Sequence, residues 1–404
     1  MNWLNDKKIF EIAEEFGTPL YVYDEKVLRK SCKDMRGLLT NKNFHVSYSI
    51  KANSNIELLK IIKEEKISAD AISAGEIYTL EKAGFKKEEI FFIPNNVSEA
   101  EMKYAVEKGV LISADSLSQL DMLGRLNTGG EVALRFNPSA GLGHHEKVIT
   151  AGKSTKFGIQ ISYIDEVKKL LKKYNLKLKG INQHLGSLVL NKEPYLEGAK
   201  ELLNIAKQFP DLSFIDFGGG FGVPYRENDK RLDLKDLSEA LDKLLTEFLK
   251  EYYNKNVMFK IEPGRYIPAE CGILLGTVNT LKTNYDTEYV GTDIGFNVLL
   301  RPALYDSYHA IHIAKKKTGK GLKETYTIVG NICETGDIIA KDRELEKIDE
   351  GDIIAVLTAG AYGYSMSSNY NCRLRPAEVL INADGTHRLI RKRETFEDLL
   401  RNFV

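Results

Sequence analysis

Residues 45–73 read HVSYSIKANSNIELLKIIKEEKISADAIS, and the fold follows from how this stretch changes period. HVSYSI (45–50) is a short run rich in β-branched and aromatic residues, and NIELLKIIKEEK (55–66) places apolar residues at helical spacing. SADAIS (68–73) returns to a short run, so the stretch is one β-α-β unit. The pattern continues through IFFIPN (90–95), LISAD (111–115), EVALRFN (131–137), LKGINQH (178–184), SFIDFG (213–218) and VMFKIE (257–262). Helical segments lie between them, among them SEAEMKYAVEKG (98–109), YIDEVKKLLKKYN (163–175), YLEGAKELLNIAKQF (195–209) and LSEALDKLLTEFLKEYYN (237–254). Eight strands separated by helical segments predict an α/β fold, a (β/α)8 TIM-like barrel.

Beyond residue 270 the helical period disappears, and runs such as CGILLGTVNTL, ETYTIVGNI, DIIAVLT and AEVLINADG predict a β-rich domain. PLYVYD (19–24) has no place in the barrel repeat and is assigned to that domain, which is then built from both chain ends. The expected division is a barrel at 28–270 and a β-rich domain at 1–27 plus 271–404. PSAGLGHHEKVITAGKSTKF (138–157) is an unusually long barrel loop, of a kind that more often serves function than connection.

A chain of 404 residues with 57 Lys+Arg against 57 Asp+Glu has no basic surplus, so composition gives no support to a nucleic-acid or anionic-membrane partner. Cys32, Cys271, Cys333 and Cys372 are scattered without a C-x-x-C pair, as expected of a reducing compartment. The opening MNWLNDKKIFEIAEEFG is too charged for a signal peptide, and the expected location is cytoplasmic. HAIH (309–312) lacks a third ligand at sensible spacing, so no metal is expected.

A barrel enzyme works at the C-terminal ends of its strands. There the sequence places Lys51 in YSIKAN, Asp70, Arg135 and Asn137, then His184, Gly186 and Ser187, the run GGGFG (218–222), and Glu262, Gly264 and Arg265 in EPGR. A lysine freed of part of its hydration can lose its proton and condense with a carbonyl. Consecutive glycines let backbone N–H groups close on an anion. The run is neither a dinucleotide fingerprint, since Val223 stands where G-x-G-x-x-G needs glycine, nor a Walker A loop, since Lys147 stands where that motif before Gly152-Lys153-Ser154 needs its first glycine. A lysine for an aldehyde, glycines for a phosphate and a carboxylate from the last strand together point to pyridoxal 5'-phosphate. Glu262 would face the pyridine nitrogen, His184 could lie flat against the ring, and Asp70 and Gly219 are counted with the expected cofactor contacts. In the β-rich part RPALY (301–305), CETGD (333–337) and GAYGYSMSSNYN (360–371) form a second cluster. Arg301 could fork onto a carboxylate, Glu334 could pair with an ammonium, and Cys333 could hand over a proton.

With these motifs the chain resembles the fold-type III pyridoxal-phosphate decarboxylases. YSIKAN, KFGI (156–159), HLGS, DFGGGFG, EPGR, GFNVLLRPALYDSYH, GNICETGD and GAYGYSMSSNYN stand in that family's order from FGTPLYVYD (16–24) to RPAEVLI (375–381). The resemblance implies a homodimer with shared active sites, and loss of CO2 from the D-configured centre of meso-2,6-diaminopimelate to give L-lysine. It implies that Lys51 carries the cofactor and that Ser187, Gly220, the Gly264–Arg265 backbone and Tyr362 hold its phosphate. It further implies that Arg265, Arg301 and Tyr305 meet substrate, with Cys333 and Glu334 supplied by the partner subunit; Tyr362 is counted with the substrate contacts too. The proton donor is expected to be Cys333 or Lys51. Two departures stand out: Thr335 where the family often has serine, and Leu188-Val189 after HLGS where it often has small or polar residues. The alternatives are a decarboxylase of lysine, ornithine or a D-amino acid, against which CETGD and RPALY argue, and a racemase, which usually avoids an anion such as Glu262 at the ring nitrogen.

Overall fold

The computed structural model of the chain describes residues 3–137, 142–143, 155–315 and 323–404. The long loop expected at 138–157 lies outside the described residues apart from the backbone of 142–143 and residues 155–157. The chain forms two compact units. One spans Arg29–Val223 and Lys230–Ile267; the other takes both chain ends, up to Leu28 and from Pro268 onward, together with Pro224–Asp229.

In the first unit β1 (Phe44–Ser49), β2 (Ser68–Ala71), β3 (Ile90–Phe92), β4 (Leu111–Ala114), β5 (Glu131–Arg135), β6 (Lys177–Asn182), β7 (Phe214–Asp216) and β8 (Met258–Ile261) close into a parallel barrel. Closure is made by β8 on β1, with Phe259 opposite Phe44 and Ile261 opposite Val46. The turns leaving the first four strands each end on a short polar side chain that starts a helix. Asn55 accepts the Glu57 N–H at 3.0 Å, and Ser73, Ser98 and Ser116 each accept an N–H at 3.2 Å, from Glu76, Glu101 and Gln119. Each cap satisfies a donor that the helix itself cannot, at about 1 kcal/mol. These helix starts sit where the strands deliver Lys51 and Asp70, so local capping fixes the geometry of that end of the barrel.

Alternation along the strands decides what faces inward. Phe259 of β8 points outward, edge-on to Phe248 of the Leu234–Glu251 helix at 6.4 Å, so Lys260 and Glu262 point into the barrel. That helix seals its side with Leu237, Leu241, Leu245 and Phe248. The barrel interior is polar where other barrels stack branched apolar side chains. His45, Ser47 and Ser49 share the inner face of β1, Ser68 and Asp70 that of β2, and Asp216 stands on β7. Ser113 Oγ donates to Asn182 Oδ1 at 2.6 Å, and Ser49 Oγ to Asp70 Oδ2 at 2.7 Å. Burying so many polar groups costs stability unless they are paired, so this column calls for a functional explanation.

The second unit is built on one nine-stranded sheet. Leu20–Asp24 runs antiparallel to Gly272–Asn284 and parallel to Ala377–Ile381, which joins the two chain ends in one sheet. Leu20, Val22, Ile273, Leu275, Ala355 and Val379 pack with Ile9 and Ile12 of the Asp6–Phe16 helix as its core. On the other face Tyr21 donates to the Val298 carbonyl at 2.6 Å and Tyr23 to Glu378 at 2.7 Å. Helix is confined after Pro268 to short pieces, among them the single turns Arg301–Tyr305 and Phe396–Leu400. Among the described residues no helix is long and apolar enough to cross a membrane, and no three His, Cys, Asp or Glu side chains are grouped so as to hold a metal ion.

Candidate active site

At the C-terminal ends of the barrel strands lies a cavity of about 220 Å³ lined by Lys51, Asp70, Arg135, His184 and Glu262, with Ser49, Asn95, Phe157 and Asn182 around them. Lys51 sits on a single 3-10 turn, Ile50–Ala52, immediately after β1. Asp70 is buried, and the loss of hydration raises its carboxyl to about 6 against the pull of the Lys51 ammonium and the Ser49 hydroxyl. Glu262 is held well above the usual carboxylate range by burial first and then by the neighbouring Asp216 and Asp70 charges. Its Oε1 is buried with no hydrogen-bond partner. A buried carboxyl oxygen left unpartnered in a lined cavity is set to receive a group from outside the chain.

His184 Nδ1 accepts the Gly219 N–H at 3.2 Å, which leaves the ring proton on Nε2. Burial, together with Lys51 and Arg135, holds the imidazole well below its ordinary value, so the ring is neutral at pH 7. The donor to it is supplied by the glycine run. At Gly219 a Cβ would lie 2.1 Å from the Glu262 carbonyl oxygen, and Gly220 adopts φ +108° with a Cβ position 3.0 Å from the Gly186 oxygen. Only glycine lets this loop thread between the ends of β6 and β8. Val189 completes the pairing, its N–H donating to the Gly220 carbonyl at 2.9 Å and its own carbonyl accepting from Gly222 at 3.0 Å. Val189 is therefore a buried backbone partner of the loop, while Leu188 adopts φ +65°.

Ser187 Oγ accepts from Arg265 Nε at 3.2 Å and Nη2 at 2.8 Å. Its own proton is thereby left to donate elsewhere. Arg265 and Gly264 follow β8 directly, and Arg265 is buried. Beside the glycine loop these groups form a cradle of donors suited to an anion.

Sequence reading placed Arg135 at its strand end without a role. It is buried, its Nε is 3.9 Å from Asp115 Oδ1, and its guanidinium lies 4.6 Å from the Phe157 ring centroid. Asp115 also accepts the Gly158 N–H at 2.6 Å, and Ile159 N–H donates to the Arg135 carbonyl at 2.8 Å. KFGI thus docks on the end of β5 and brings Phe157 over Arg135. Ser49, Asn95, Asp115 and Asn182 were missed; the signal was there for Ser49, two residues before Lys51 on an alternating strand.

In the second unit Arg301 is only 2% exposed. Its Nη1 donates to His309 Nε2 at 2.9 Å, Nη2 donates to Ser307 at 3.3 Å, and the guanidinium lies over Tyr225 at 4.8 Å. His309 Nδ1 in turn donates to the Leu357 carbonyl at 2.8 Å, so HAIH carries a structural histidine. Cys333 and Glu334 are exposed on a turn that Asp337 shapes by accepting the N–H groups of Phe296 at 2.6 Å and Ile332 at 2.7 Å. Asn371 accepts the Cys333 N–H at 2.8 Å and Tyr370 donates to Glu334 at 2.5 Å, tying CETGD to GAYGYSMSSNYN. Tyr362 is half-buried at φ +57°, and Tyr305 ends the Arg301–Tyr305 turn.

Residues 25–269 match the family model described as pyridoxal-dependent decarboxylase, pyridoxal binding domain. The diaminopimelate decarboxylase of Methanothermobacter thermautotrophicus is 41% identical over 399 residues, covering 97% of this chain and 92% of the relative. That of Archaeoglobus fulgidus is 38% identical, covering 97% and 94%. The crystal structure of diaminopimelate decarboxylase from Helicobacter pylori complexed with L-lysine superposes with a TM-score of 0.88 at 31% identity, covering 97% of this chain and 98% of that one.

Proposed function

We propose, because this chain belongs to the pyridoxal-dependent decarboxylase family, that it removes CO2 from meso-2,6-diaminopimelate to leave L-lysine. The observation that carries the reading is one cavity that holds Lys51 and the unpartnered Glu262 oxygen beside the glycine loop. These residues fit pyridoxal 5'-phosphate: Lys51 to carry it, Glu262 for the ring nitrogen, His184 against the ring, and Ser187, Gly219, Gly220, Gly264 and Arg265 for phosphate, with Tyr362 from the family pattern. When bound, the cofactor supplies a conjugated sink for the electrons released from the substrate's α-carbon.

The chain's own groups do the rest. Glu262, buried and favouring its proton, can share that proton with a ring nitrogen and keep it from leaking to water. His184 is neutral and can press on a ring without adding a cation to the site. Ser187, its oxygen engaged by Arg265, aims its hydroxyl proton at an anion. Arg265, Arg301, Tyr305 and Glu334 would read the substrate's two amino-acid ends, and a site built for those charges rejects diamines by leaving its own groups unpaired. The exposed Cys333 and Glu334 support a role toward a partner subunit in a homodimer, with Cys333 or Lys51 returning the proton. A cytoplasmic location belongs to the same reading.

Lys51→Ala is expected to abolish both the visible absorbance of lysine-bound cofactor and turnover. A variant that kept both would remove Lys51 from the role given it.

A further inference from the structure

The opposite end of the barrel carries a second cavity that the decarboxylation does not use. It occupies about 860 Å³ at the N-terminal ends of the strands. Ser47 and Lys260 line it from the inner faces of β1 and β8. Ser47 is 1% exposed, and its Oγ is buried without a hydrogen-bond partner. Lys260 places its ammonium 4.3 Å from the Phe214 ring centroid and 5.2 Å from that of Phe91. Among the described residues it has neither a hydrogen bond nor an ion pair within 4 Å. Burial lowers its pKa, and the more distant Asp216 and Glu262 charges only partly restore it.

The rim is mixed in charge, with Lys63, Lys66 and Lys87 standing among Glu88, Glu89 and Glu131. Lys63 and Lys87 have Glu89 and Glu88 at 3.6 and 3.9 Å, and Glu131 faces Lys179 at 3.4 Å outside the cavity. Lys66 lines the opening with no carboxylate within 4 Å among the described residues. His45, bonded to Ser68 at 2.7 Å, is kept neutral at pH 7 by burial and by Lys260. What remains without a hydrogen bond or a carboxylate within 4 Å is one inward ammonium, one buried hydroxyl and one rim ammonium. A cation over two aromatic faces and an orphaned hydroxyl are both groups that an oxygen anion would satisfy.

We propose that the N-terminal mouth of the barrel is an oxyanion-binding site, where one carboxylate or phosphate group takes the Lys260 ammonium and the Ser47 hydroxyl. Ser47 lies on β1 and Lys51 on the 3-10 turn that follows it, so the two sites lie roughly 10–12 Å from each other. An anion bound here therefore need not compete with substrate. The proposal does not depend on the reaction assigned above.

The test is calorimetric titration of the cofactor-loaded protein with inorganic phosphate and, separately, with acetate, in the presence of saturating L-lysine. One saturable site per chain for at least one anion is expected; which anion binds decides between phosphate and carboxylate. Lys260→Met should weaken that site at least tenfold. Ser47→Ala, which removes only a hydroxyl and keeps the barrel packed, should weaken it measurably even if Lys260→Met fails to fold. No saturable binding by either anion, or binding that Ser47→Ala and Lys260→Met leave unchanged, would overturn the proposal. Lys260 would then serve only to balance Asp216 and Glu262 inside the barrel.

Discussion

Glu262 concentrates what single residues contribute here. Its carboxyl is buried, crowded by Asp216 and Asp70, and unpartnered at Oε1. Glu262→Gln keeps the shape and removes the carboxyl whose proton a ring nitrogen can share. It should lower kcat by about 10²–10³-fold while the cofactor is retained, because a charge acting in a dry site is worth about 3–4 kcal/mol to the transition state. Unchanged kcat would show that the carboxylate does not act on the ring. His45 allows a stability test. Burial and Lys260 hold it at about 4 against an ordinary 6.5. As pH falls through 6.5 the unfolded chain takes up the proton first, so stability present above 6.5 is lost down to about 4. In His45→Gln that part of the loss should vanish, so the variant's melting temperature should fall less between pH 7 and pH 4, by ~2–4 °C for about 1 kcal/mol. Parallel melting curves would mean that the imidazole is not desolvated as described. At this scale the sequence showed Lys51, Asp70, His184 and Glu262 because strand ends are visible in its period. It could not show Arg135 against Asp115, which are neighbours only once β4 and β5 pair.

At the scale of elements, the strand-to-helix turns and the glycine loop set the site. Asn55, Ser73, Ser98 and Ser116 cap their helices on the same side of the barrel, so several independent local rules agree on one end. The loop after β7 is less tolerant. A methyl at Gly219 would meet the Glu262 carbonyl at 2.1 Å and push away the N–H that His184 accepts. Gly219→Ala should weaken cofactor binding at least tenfold in an absorbance titration, with Glu262 still in place. Undiminished affinity would mean that the loop relaxes without cost and does not shape the cradle. Strand and helix existence were legible in the 2.0 and 3.6 periods. The polar interior of the barrel was not, since Ser47, Ser113 and Asp216 read as ordinary strand residues until the strands close and turn them inward.

For the molecule as a whole, two kinds of information met. The early strand PLYVYD was readable as a piece of the β-rich part because it interrupts the β-α repeat, and it pairs there with Gly272–Asn284 and Ala377–Ile381. Pro224–Asp229, which groups with the β-rich unit from inside the barrel's span of sequence, left no periodic trace. Arg301 was read as a clamp for a carboxylate, and its burial beside His309 and Ser307 shows how firmly its guanidinium is oriented. What whole-chain similarity adds is the chemistry, because a barrel of this kind hosts many reactions and cannot name one. The most direct test is CO2 release by the purified, cofactor-loaded protein, comparing meso-2,6-diaminopimelate with L-lysine, L-ornithine and D-lysine and identifying the amino products by chromatography. The account predicts L-lysine and CO2 from meso-2,6-diaminopimelate alone; CO2 from the monocarboxylates at a comparable rate would contradict it.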